Sequence, residues 1–291
     1  MVDKYLAQPG AKDEVVETIQ TATDETLYFF TNRGNCFMLD VTRIPETMKL
    51  KDRGSLLTGL IAGLADHEHA VALVCVKSDE MAKKGDFLFI TKNGQVKRTA
   101  AAEYGIRRAR FAAINLKGND ELVGMVQVDP EDKDDIILIT QLGMALRFKL
   151  DTVSCTGRAT AGVRGIDVGK DDEVRWFEIP KAGDMLFVLS DRGFGKRMLS
   201  DDVERQGRAG KGQKLLPMNK TGETGTQVAV CLNVTGAKSV RVEQKHGHTV
   251  LLNMDEIAVE RRASKGQLLV NVLLDDVVQY GALTAETKDE K

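Results

Sequence analysis

The sequence predicts an all-β fold, a propeller-like array of four-stranded blades with five recognisable repeats. The first observation is a short apolar run that ends in Thr or Ser and is followed three residues later by glycine. An apolar run, a glycine turn and a second run of strand formers together predict a β-hairpin. The second observation is the period, because the turn glycines Gly34, Gly94, Gly143, Gly193 and Gly247 are 60, 49, 50 and 54 residues apart. A period near 50 residues without a long helical pattern is typical of propeller blades.

The array begins after a short lead-in and ends before a charged tail. We assign residues 1–13 to a lead-in or linker, 14–282 to the array and 283–291 to the tail. The fifth hairpin, Val240–Gly247, is the least regular copy, and residues 100–104 and 200–205 are expected to form single helical turns. The repeats run approximately over residues 26–84, 85–133, 134–183, 184–237 and 238–282.

The composition is that of an ordinary globular protein, with 42% hydrophobic, 29% charged and 5% aromatic residues. No stretch approaches the ~20 apolar residues that span a membrane. Residues Met1–Lys4 lack the apolar run of an export signal. The four cysteines are far apart and form no C-x-x-C pair, as is usual in a reducing compartment. We therefore expect a cytoplasmic protein.

Metal and nucleotide sites are not predicted. The pairs His67/His69 and His246/His248 have the i, i+2 spacing that lets two side chains on one strand face share a ligand. No cysteine or acidic cluster completes either pair, so we expect no metal site. The glycine-lysine segments at 193–196 and 207–214 do not meet the G-x-x-x-x-G-K-[ST] pattern of a phosphate loop. No catalytic residue and no cofactor is expected in this chain.

The charges are segregated along the chain, although their sum is only −2. Residues 97–110 hold five cations and one acid, whereas residues 129–135 hold five acids and one cation. About 19 residues after a turn glycine comes a loop rich in Arg, Lys and Gly, as in Gly207–Gly212. Local distribution decides the partner class more than net charge does, so these loops predict contacts with phosphate.

The predicted interface is a basic rim built from these loops and from the basic residues that follow the hairpin turns. Aromatic residues are absent from the loops, which favours duplex DNA recognised by shape over single strands bound by stacking. The loop glycines either meet the turn geometry of the blade or let the DNA backbone approach closely. The predicted DNA-binding residues are Lys97, Arg98, Arg107, Arg108, Arg110, Arg147, Arg158, Arg164, Lys196, Arg197, Arg205, Arg208, Lys211, Lys214, Arg261, Arg262 and Lys265. The predicted loop glycines are Gly162, Gly165, Gly207, Gly210, Gly212 and Gly266.

These motifs together resemble one family. The T-x-x-G hairpins are followed by basic pairs at Lys97-Arg98 and Lys196-Arg197, and Gly157–Ile166 reads GRATAGVRGI. This pattern resembles the C-terminal β-pinwheel of the A subunit of bacterial type IIA topoisomerases, over roughly residues 14–282. The segments at 31–35 and 51–54 resemble the topoisomerase IV version more than the DNA gyrase version. The gyrase box, Q-R-R-G-G-[RK]-G, has only imperfect counterparts at 206–212 and 260–266.

The resemblance implies a domain without catalytic activity that bends or guides duplex DNA around its basic rim. The fold it implies is a propeller variant whose blades exchange strands. Its parent enzyme would be an ATP-hydrolysing isomerase that uses ATP and Mg²⁺, and its partners there would be the B subunit of the enzyme, together with the rest of the A subunit. The enzyme's catalytic tyrosine would lie elsewhere, since Tyr104 occupies a basic loop of the repeat.

Two other classes of protein share this architecture. A propeller-type interaction scaffold would present aromatic or apolar anchors on its loops, whereas these loops carry Arg, Lys and Gly. A propeller hydrolase or lyase would place acids or histidines at one inward register in several blades. The acids here fall in turns, as at 120–121 and 171–173. The scaffold is therefore the stronger of the two alternatives to DNA binding.

Overall fold

A computed structural model of the chain describes residues 18–46, 54–131 and 133–284. The lead-in predicted over 1–13 and nearly all of the tail predicted over 283–291 lie outside these residues. The chain divides into two compact units. Unit 1 comprises Met1–Thr91, Val96–Asp132 and Val153–Val163, and unit 2 comprises Lys92–Gln95, Lys133–Thr152 and Arg164–Lys291.

The regular structure of the described residues is almost entirely β. Their single α-helix, α1, is one turn at Leu57–Leu60. Short 3-10 turns follow the hairpins, and those at Ala101–Tyr104 and Ser200–Asp202 fall where single helical turns were predicted. The other 3-10 turns are Val41–Arg43, Ser78–Lys84, Leu150–Thr152 and Met254–Glu256.

Nineteen strands in this part of the chain form five antiparallel sheets, each centred on the hairpin of one repeat. The first two sheets are built from β1 (Thr26–Thr31), β2 (Asn35–Asp40), β3 (Ala70–Val76), β4 (Asp86–Thr91), β5 (Gln95–Ala100), β6 (Arg110–Ala112), β7 (Leu122–Val128) and, from further along the chain, β10 (Val163–Arg164). The remaining strands are β8 (Asp135–Thr140), β9 (Met144–Lys149), β11 (Val174–Glu178), β12 (Met185–Ser190), β13 (Phe194–Leu199), β14 (Gln213–Lys214), β15 (Val228–Asn233), β16 (Ser239–Gln244), β17 (Thr249–Asn253), β18 (Gln267–Leu268) and β19 (Val278–Leu283).

In each of the first four sheets, the strand beside the second strand of the hairpin comes from the next repeat, and we call it the outer strand. The strand orders are β3-β1-β2-β6, β7-β4-β5-β10, β11-β8-β9-β14 and β15-β12-β13-β18. The fifth sheet, β17-β16-β19, has three strands among the described residues. The all-β prediction is confirmed, and the strand exchange that the resemblance implied is present.

The inner hairpin strands are covered on both faces, which explains why their sequences are continuous apolar runs. All six residues of β1, β4 and β8 are buried. In unit 1 the core is aromatic, with Phe30 in edge contact with Phe87 and Tyr104 at centroid distances of 5.6 Å for each pair. In unit 2 the cores are mainly aliphatic, with Ile139, Val188 and Leu216 fully buried. None of the helices in the described part of the chain has the length and apolar character that crossing a membrane requires.

Candidate nucleic-acid interface

Four loops at one register of the repeat carry most of the predicted site residues. Each lies between the 3-10 turn that follows a hairpin and the strand given to the preceding sheet. We name them loop 1 (residues 105–109), loop 2 (155–162), loop 3 (205–212) and loop 4 (259–266). Loops 1 and 2 belong to unit 1, and loops 3 and 4 belong to unit 2.

The loops are attached to the preceding hairpin by backbone contacts at equivalent positions. The first residues of loops 2, 3 and 4 form parallel bridges to Arg98, Arg147 and Arg197. Near the end of each loop a glycine crosses the same strand closely. A Cβ added at Gly162, Gly212 or Gly266 would lie 2.6, 2.5 or 2.3 Å from a strand carbonyl oxygen. Turn and crossing geometry therefore accounts for these three glycines.

The other predicted glycines differ in their surroundings. A Cβ added at Gly207 would meet nothing within 4 Å, and one at Gly210 would meet only ordinary contacts at 3.6 Å and beyond. Gly165 is buried, and its amide donates to the carbonyl of Gly94 at 2.8 Å. Among the predicted loop glycines, Gly207 and Gly210 are thus the two for which packing against the described residues does not require a glycine.

The Arg-Ala pairs of loops 2, 3 and 4 occupy the central positions of tight turns. The arginine of each pair is half-buried and reaches back to the outer strand of the preceding repeat. Arg158 Nη1 donates to Ala112 O at 2.9 Å, and Arg262 Nη1 donates to Lys214 O at 2.8 Å. Arg208 Nη1 donates to Arg164 O in the same way. The guanidinium of Arg158 also lies over the ring of Phe111 at 5.0 Å. Each of these arginines thus joins its loop to an outer strand.

The basic residues that directly follow the hairpin turns are buried or half-buried. Arg98 is 8% exposed, pairs with Asp86 at 2.5 Å and donates to Pro130 O at 2.8 Å. The guanidinium of Arg98 is therefore already paired inside the blade, and contact of Arg98 with phosphate stays a prediction.

Arg147 and Arg197 occupy the same position in later repeats. Arg147 pairs with Asp135 at 2.7 Å and with Asp201 at 3.0 Å. Burial lowers the pKa of Arg147, but hydrogen bonds to the two carboxylates outweigh it and the net shift is upward. Arg197 Nε donates to Ile257 O at 2.8 Å. The described contacts of both arginines are thus structural ones.

Lys97 and Lys196 were predicted to bind DNA, and the structure places both in the interior. Their exposed fractions are 1% and 0%, so neither ammonium can contact a phosphate in this conformation. Lys97 Nζ donates to Ala113 O at 3.1 Å and to Arg158 O at 2.5 Å. Lys196 Nζ donates to three carbonyls of loop 4. Burial lowers the pKa of each lysine to about 8, with Arg158 adding to the effect on Lys97.

Nine of the predicted residues are exposed and remain candidates for phosphate contact. Three of them have partners: Arg110 contacts the Phe37 ring at 5.1 Å, Arg164 pairs with Asp167 at 3.4 Å, and Arg205 pairs with Asp135 at 2.9 Å. The others form no ion pair within the described residues. They are Arg107, Arg108, Lys211, Lys214, Arg261 and Lys265.

Sequence reasoning missed the acids that pair with the hairpin arginines. Asp86 and Asp135 begin β4 and β8, and each is 12 residues before its arginine. That spacing recurs in two repeats and is the signal that would have identified Arg98 and Arg147 as paired residues.

Glu68 and the tyrosine before loop 1, Tyr104, have structural roles. Glu68, between His67 and His69, accepts hydrogen bonds from Thr31 Oγ1 at 2.6 Å and Asn35 Nδ2 at 2.7 Å. Tyr104 is buried, its hydroxyl donates to Ala113 O at 2.9 Å, and burial raises its pKa. The hydroxyl of Tyr104 is therefore not available as a nucleophile.

The fold and the loops define an all-β pinwheel domain with cationic loops. The family model described as "DNA gyrase C-terminal domain, beta-propeller" matches residues 85–129, 134–181 and 184–225. The gyrase A protein of Deinococcus deserti is 33% identical over 92% of this chain and 33% of its own length. That of Chlamydia trachomatis serovar D is 31% identical over 88% of this chain and 30% of its own length. The chain thus spans about a third of the curated relatives it matches.

Solved structures of both enzymes are similar to this chain. The C-terminal domain of DNA topoisomerase IV has a TM-score of 0.80 and 25% identity, covering 89% of this chain and 79% of that domain. The DNA gyrase A C-terminal domain has a TM-score of 0.68, 18% identity and coverage of 91% and 84%. The chain belongs to the family of C-terminal β-pinwheel domains found in the A proteins of DNA gyrase and topoisomerase IV.

Proposed function

We propose that this chain binds duplex DNA along its exposed loop cations and bends or guides it for a type IIA topoisomerase. The observation that carries this proposal is a set of six exposed cations that lie in loops 1, 3 and 4 or, for Lys214, directly after loop 3, and that form no ion pair among the described residues. They stay exposed although the neighbouring Arg98, Arg147 and Lys196 are paired or buried. Three of them, Arg107, Lys211 and Lys265, lie in different loops and would each meet a phosphate.

The parent enzyme would supply the catalytic machinery. We place the domain in an A subunit that works with a B subunit, ATP and Mg²⁺ to pass one duplex through another. Within that enzyme the domain would act in the cytoplasm on nucleoid DNA. Bending a site of 20–30 bp by 40–90° costs about 1–6 kcal/mol, which contacts from several loops would offset.

The test is binding to linear duplex DNA across a salt series. Each phosphate contact contributes about −0.9 to the slope of log K against log salt. The Lys211→Ala/Lys265→Ala variant should bind more weakly, and its slope should be shallower by about 2. The matched control is Lys117→Ala/Lys170→Ala, since both lysines are exposed but lie in acidic turns outside the loops.

If the affinity of the wild type for DNA did not change with salt concentration, the proposal would be overturned. An unchanged slope in Lys211→Ala/Lys265→Ala would show that these loops are not the interface. The second candidate is a protein-interaction surface, favoured by Leu273 and Leu274, which are 63% and 96% exposed. If the wild type did not bind DNA at all, the protein-interaction surface would be the better-supported function.

A further inference from the structure

Lys196 contacts loop 4 from the protein side. Its Nζ donates to the carbonyl oxygens of Arg261, Arg262 and Ser264 at 3.0, 2.6 and 2.5 Å. An ammonium has three N–H donors and a neutral amine has two. Three carbonyl acceptors therefore match the charged form, and together they fix which way the peptide groups of loop 4 face.

The orientation of the carbonyls determines the orientation of the amides. In a trans peptide the C=O and the following N–H point in opposite directions, and the described residues contain no cis peptide bond. Because the carbonyls of Arg261 and Arg262 face Lys196, the amides of Arg262 and Ala263 face away from it. Ala263 is exposed, and neither amide donates a hydrogen bond to any described residue.

Loop 2 repeats this arrangement over Lys97. The carbonyl of Arg158 accepts a hydrogen bond from Lys97 Nζ, so the amide of Ala159 faces the opposite side. Ala159 is exposed, and its amide likewise has no acceptor in the part of the chain that the structure describes. The third direction around Lys97 Nζ is taken by the ring of Phe89, at 5.6 Å from the ring centroid.

Loop 3 has no buried lysine against it, and its alanine amide has a different environment. The hairpin position equivalent to Lys97 and Lys196 is Leu146, which is fully buried. Here the amide of Ala209 donates to Gly165 O at 2.6 Å, and Ala209 has a positive φ of 67°. That region of φ is uncommon for residues other than glycine. Without the ammonium, loop 3 uses the alanine amide for a contact with Gly165, just after the outer strand β10.

We infer that Lys97 and Lys196 are positioning residues that turn the amides of Ala159 and Ala263 outward as phosphate-binding groups, which loop 3 lacks. The inference rests on the proposed function, and the ligand is a phosphodiester group of duplex DNA. Backbone amides that face one side of a turn form anion-binding concavities. In loop 4 the exposed side chains of Arg261 and Lys265 add positive charge beside the amides.

The charged groups around the two lysines differ. Glu260 and Asp202 favour the charged form of Lys196, and Arg262 disfavours it. Glu260 also accepts a hydrogen bond from Ser264 Oγ.

Arg158 disfavours the charged form of Lys97, whereas Glu103 and Cys155 favour it. At the position of Glu260, loop 2 has Thr156, whose hydroxyl contacts that of Thr160 at 2.9 Å. Loop 2 therefore lacks the carboxylate that Glu260 contributes to loop 4.

The direct test is NMR of the protein labelled with ¹⁵N-alanine, titrated with a linear DNA duplex. A new hydrogen bond to phosphate should move the amide proton resonances of Ala159 and Ala263 downfield. Ala209 is the internal control, since its amide is already bonded to Gly165 O. Shifts of Ala159 and Ala263 no larger than that of Ala209 would overturn the inference. Ala159→Ser and Ala263→Ser assign the resonances.

A second measurement separates positioning from direct contact. Lys97→Met/Lys196→Met should bind DNA at least about 10-fold more weakly, because the amide hydrogen bonds to the charged phosphates are lost in both loops. Its salt slope should equal that of the wild type, because no phosphate-neutralising side chain is removed. Leu146→Met is the control, and its affinity should not change.

The outcomes distinguish the two proposals. Wild-type affinity in Lys97→Met/Lys196→Met would overturn the positioning role while leaving DNA binding intact. A slope shallower by about 2 would show instead that the lysines contact phosphate themselves. Absence of salt-dependent binding in the wild type would remove the proposed function. Melting curves of each variant establish that it is folded.

Discussion

Single positive charges occur in two environments in this chain. The ammonium groups of Lys97 and Lys196 are enclosed by main-chain carbonyls, whereas those of Lys211 and Lys265 face water. Burying a charge is costly unless hydrogen bonds replace its hydration. The carbonyls supply that replacement, and they oppose the lowering of the lysine pKa that burial causes. The result is a lysine that is charged at neutral pH but titrates well below its ordinary range.

This arrangement predicts a pH dependence of stability. The folded pKa of Lys97 and of Lys196 is about 8, against 10.5 as the ordinary value. Between these values the unfolded chain binds more protons than the folded one, so the free energy of unfolding rises with pH. Below pH 8 both states are protonated and the burial cost is fully present. The gain from pH 8 to 10.5 is at most about 3 kcal/mol per lysine.

The measurement is the melting temperature of the wild type relative to Lys97→Met/Lys196→Met at several pH values. The difference should shift in favour of the wild type as pH rises from 8 to 10.5. Comparison with the variant removes the contribution of other groups that titrate in this range. A difference that stays constant with pH would show that the two lysines titrate normally.

The sequence predicted the position of the loops but not the environment of each cation. A Lys-Arg pair after a turn looks the same whether it faces solvent or a neighbouring loop. The difference depends on carbonyls of loop 4, such as that of Ser264, which are remote in the chain. Only the recurring Asp86 to Arg98 and Asp135 to Arg147 spacing was visible in the sequence.

Strands and loops connect each repeat to the next. The hairpins were predictable because both faces of their inner strands are buried, which gives long apolar runs. The short outer strands were not, since β10, β14 and β18 have two residues each and no apolar pattern. Their pairing with the preceding sheet entered only through the resemblance to a strand-exchanging fold.

The crossing of loop 4 over β13 gives a prediction at this scale. Gly266 has a φ of +74°, and an added Cβ would lie 2.3 Å from Gly195 O. Gly266→Ala should therefore displace β18 and destabilise the fold by about 1–3 kcal/mol, as overpacking typically does. Gly207→Ala in loop 3 is the matched control, because nothing lies within 4 Å of its Cβ position.

Thermal unfolding monitored by circular dichroism compares the two glycine variants. Faster amide hydrogen exchange at Gln267 and Leu268 in Gly266→Ala would locate the damage at β18. Equal melting temperatures for Gly266→Ala and the wild type would mean that the loop moves aside without cost, so the crossing is not a tight one.

At the scale of the whole molecule, the net charge of −2 conceals an uneven distribution. The acids are used in turns and in ion pairs such as Asp135–Arg147. Other cations of the loops, such as Lys211 and Lys265, are left facing solvent. Under the proposed function, such cations would follow the backbone of DNA without reading its bases.

Several loops can contribute only if the duplex is long enough to reach them. We therefore expect a duplex of ~150 bp, which is one persistence length, to bind more tightly than a duplex of ~40 bp. The difference should be larger than the greater number of binding positions on the longer duplex accounts for. Competition experiments at fixed salt with equal nucleotide concentrations make this comparison. Equal affinity per nucleotide would indicate local contacts without bending.

The strand exchange also sets the order in which the domain is completed during synthesis. β2 ends at Asp40, but the strand that completes its sheet begins at Arg110. Each new hairpin therefore emerges from the ribosome with an open edge that waits for the next repeat. Open edges attract foreign strands, so a pause in translation between two repeats would be a point of vulnerability to aggregation. Release after a complete repeat would leave the same unfinished edge.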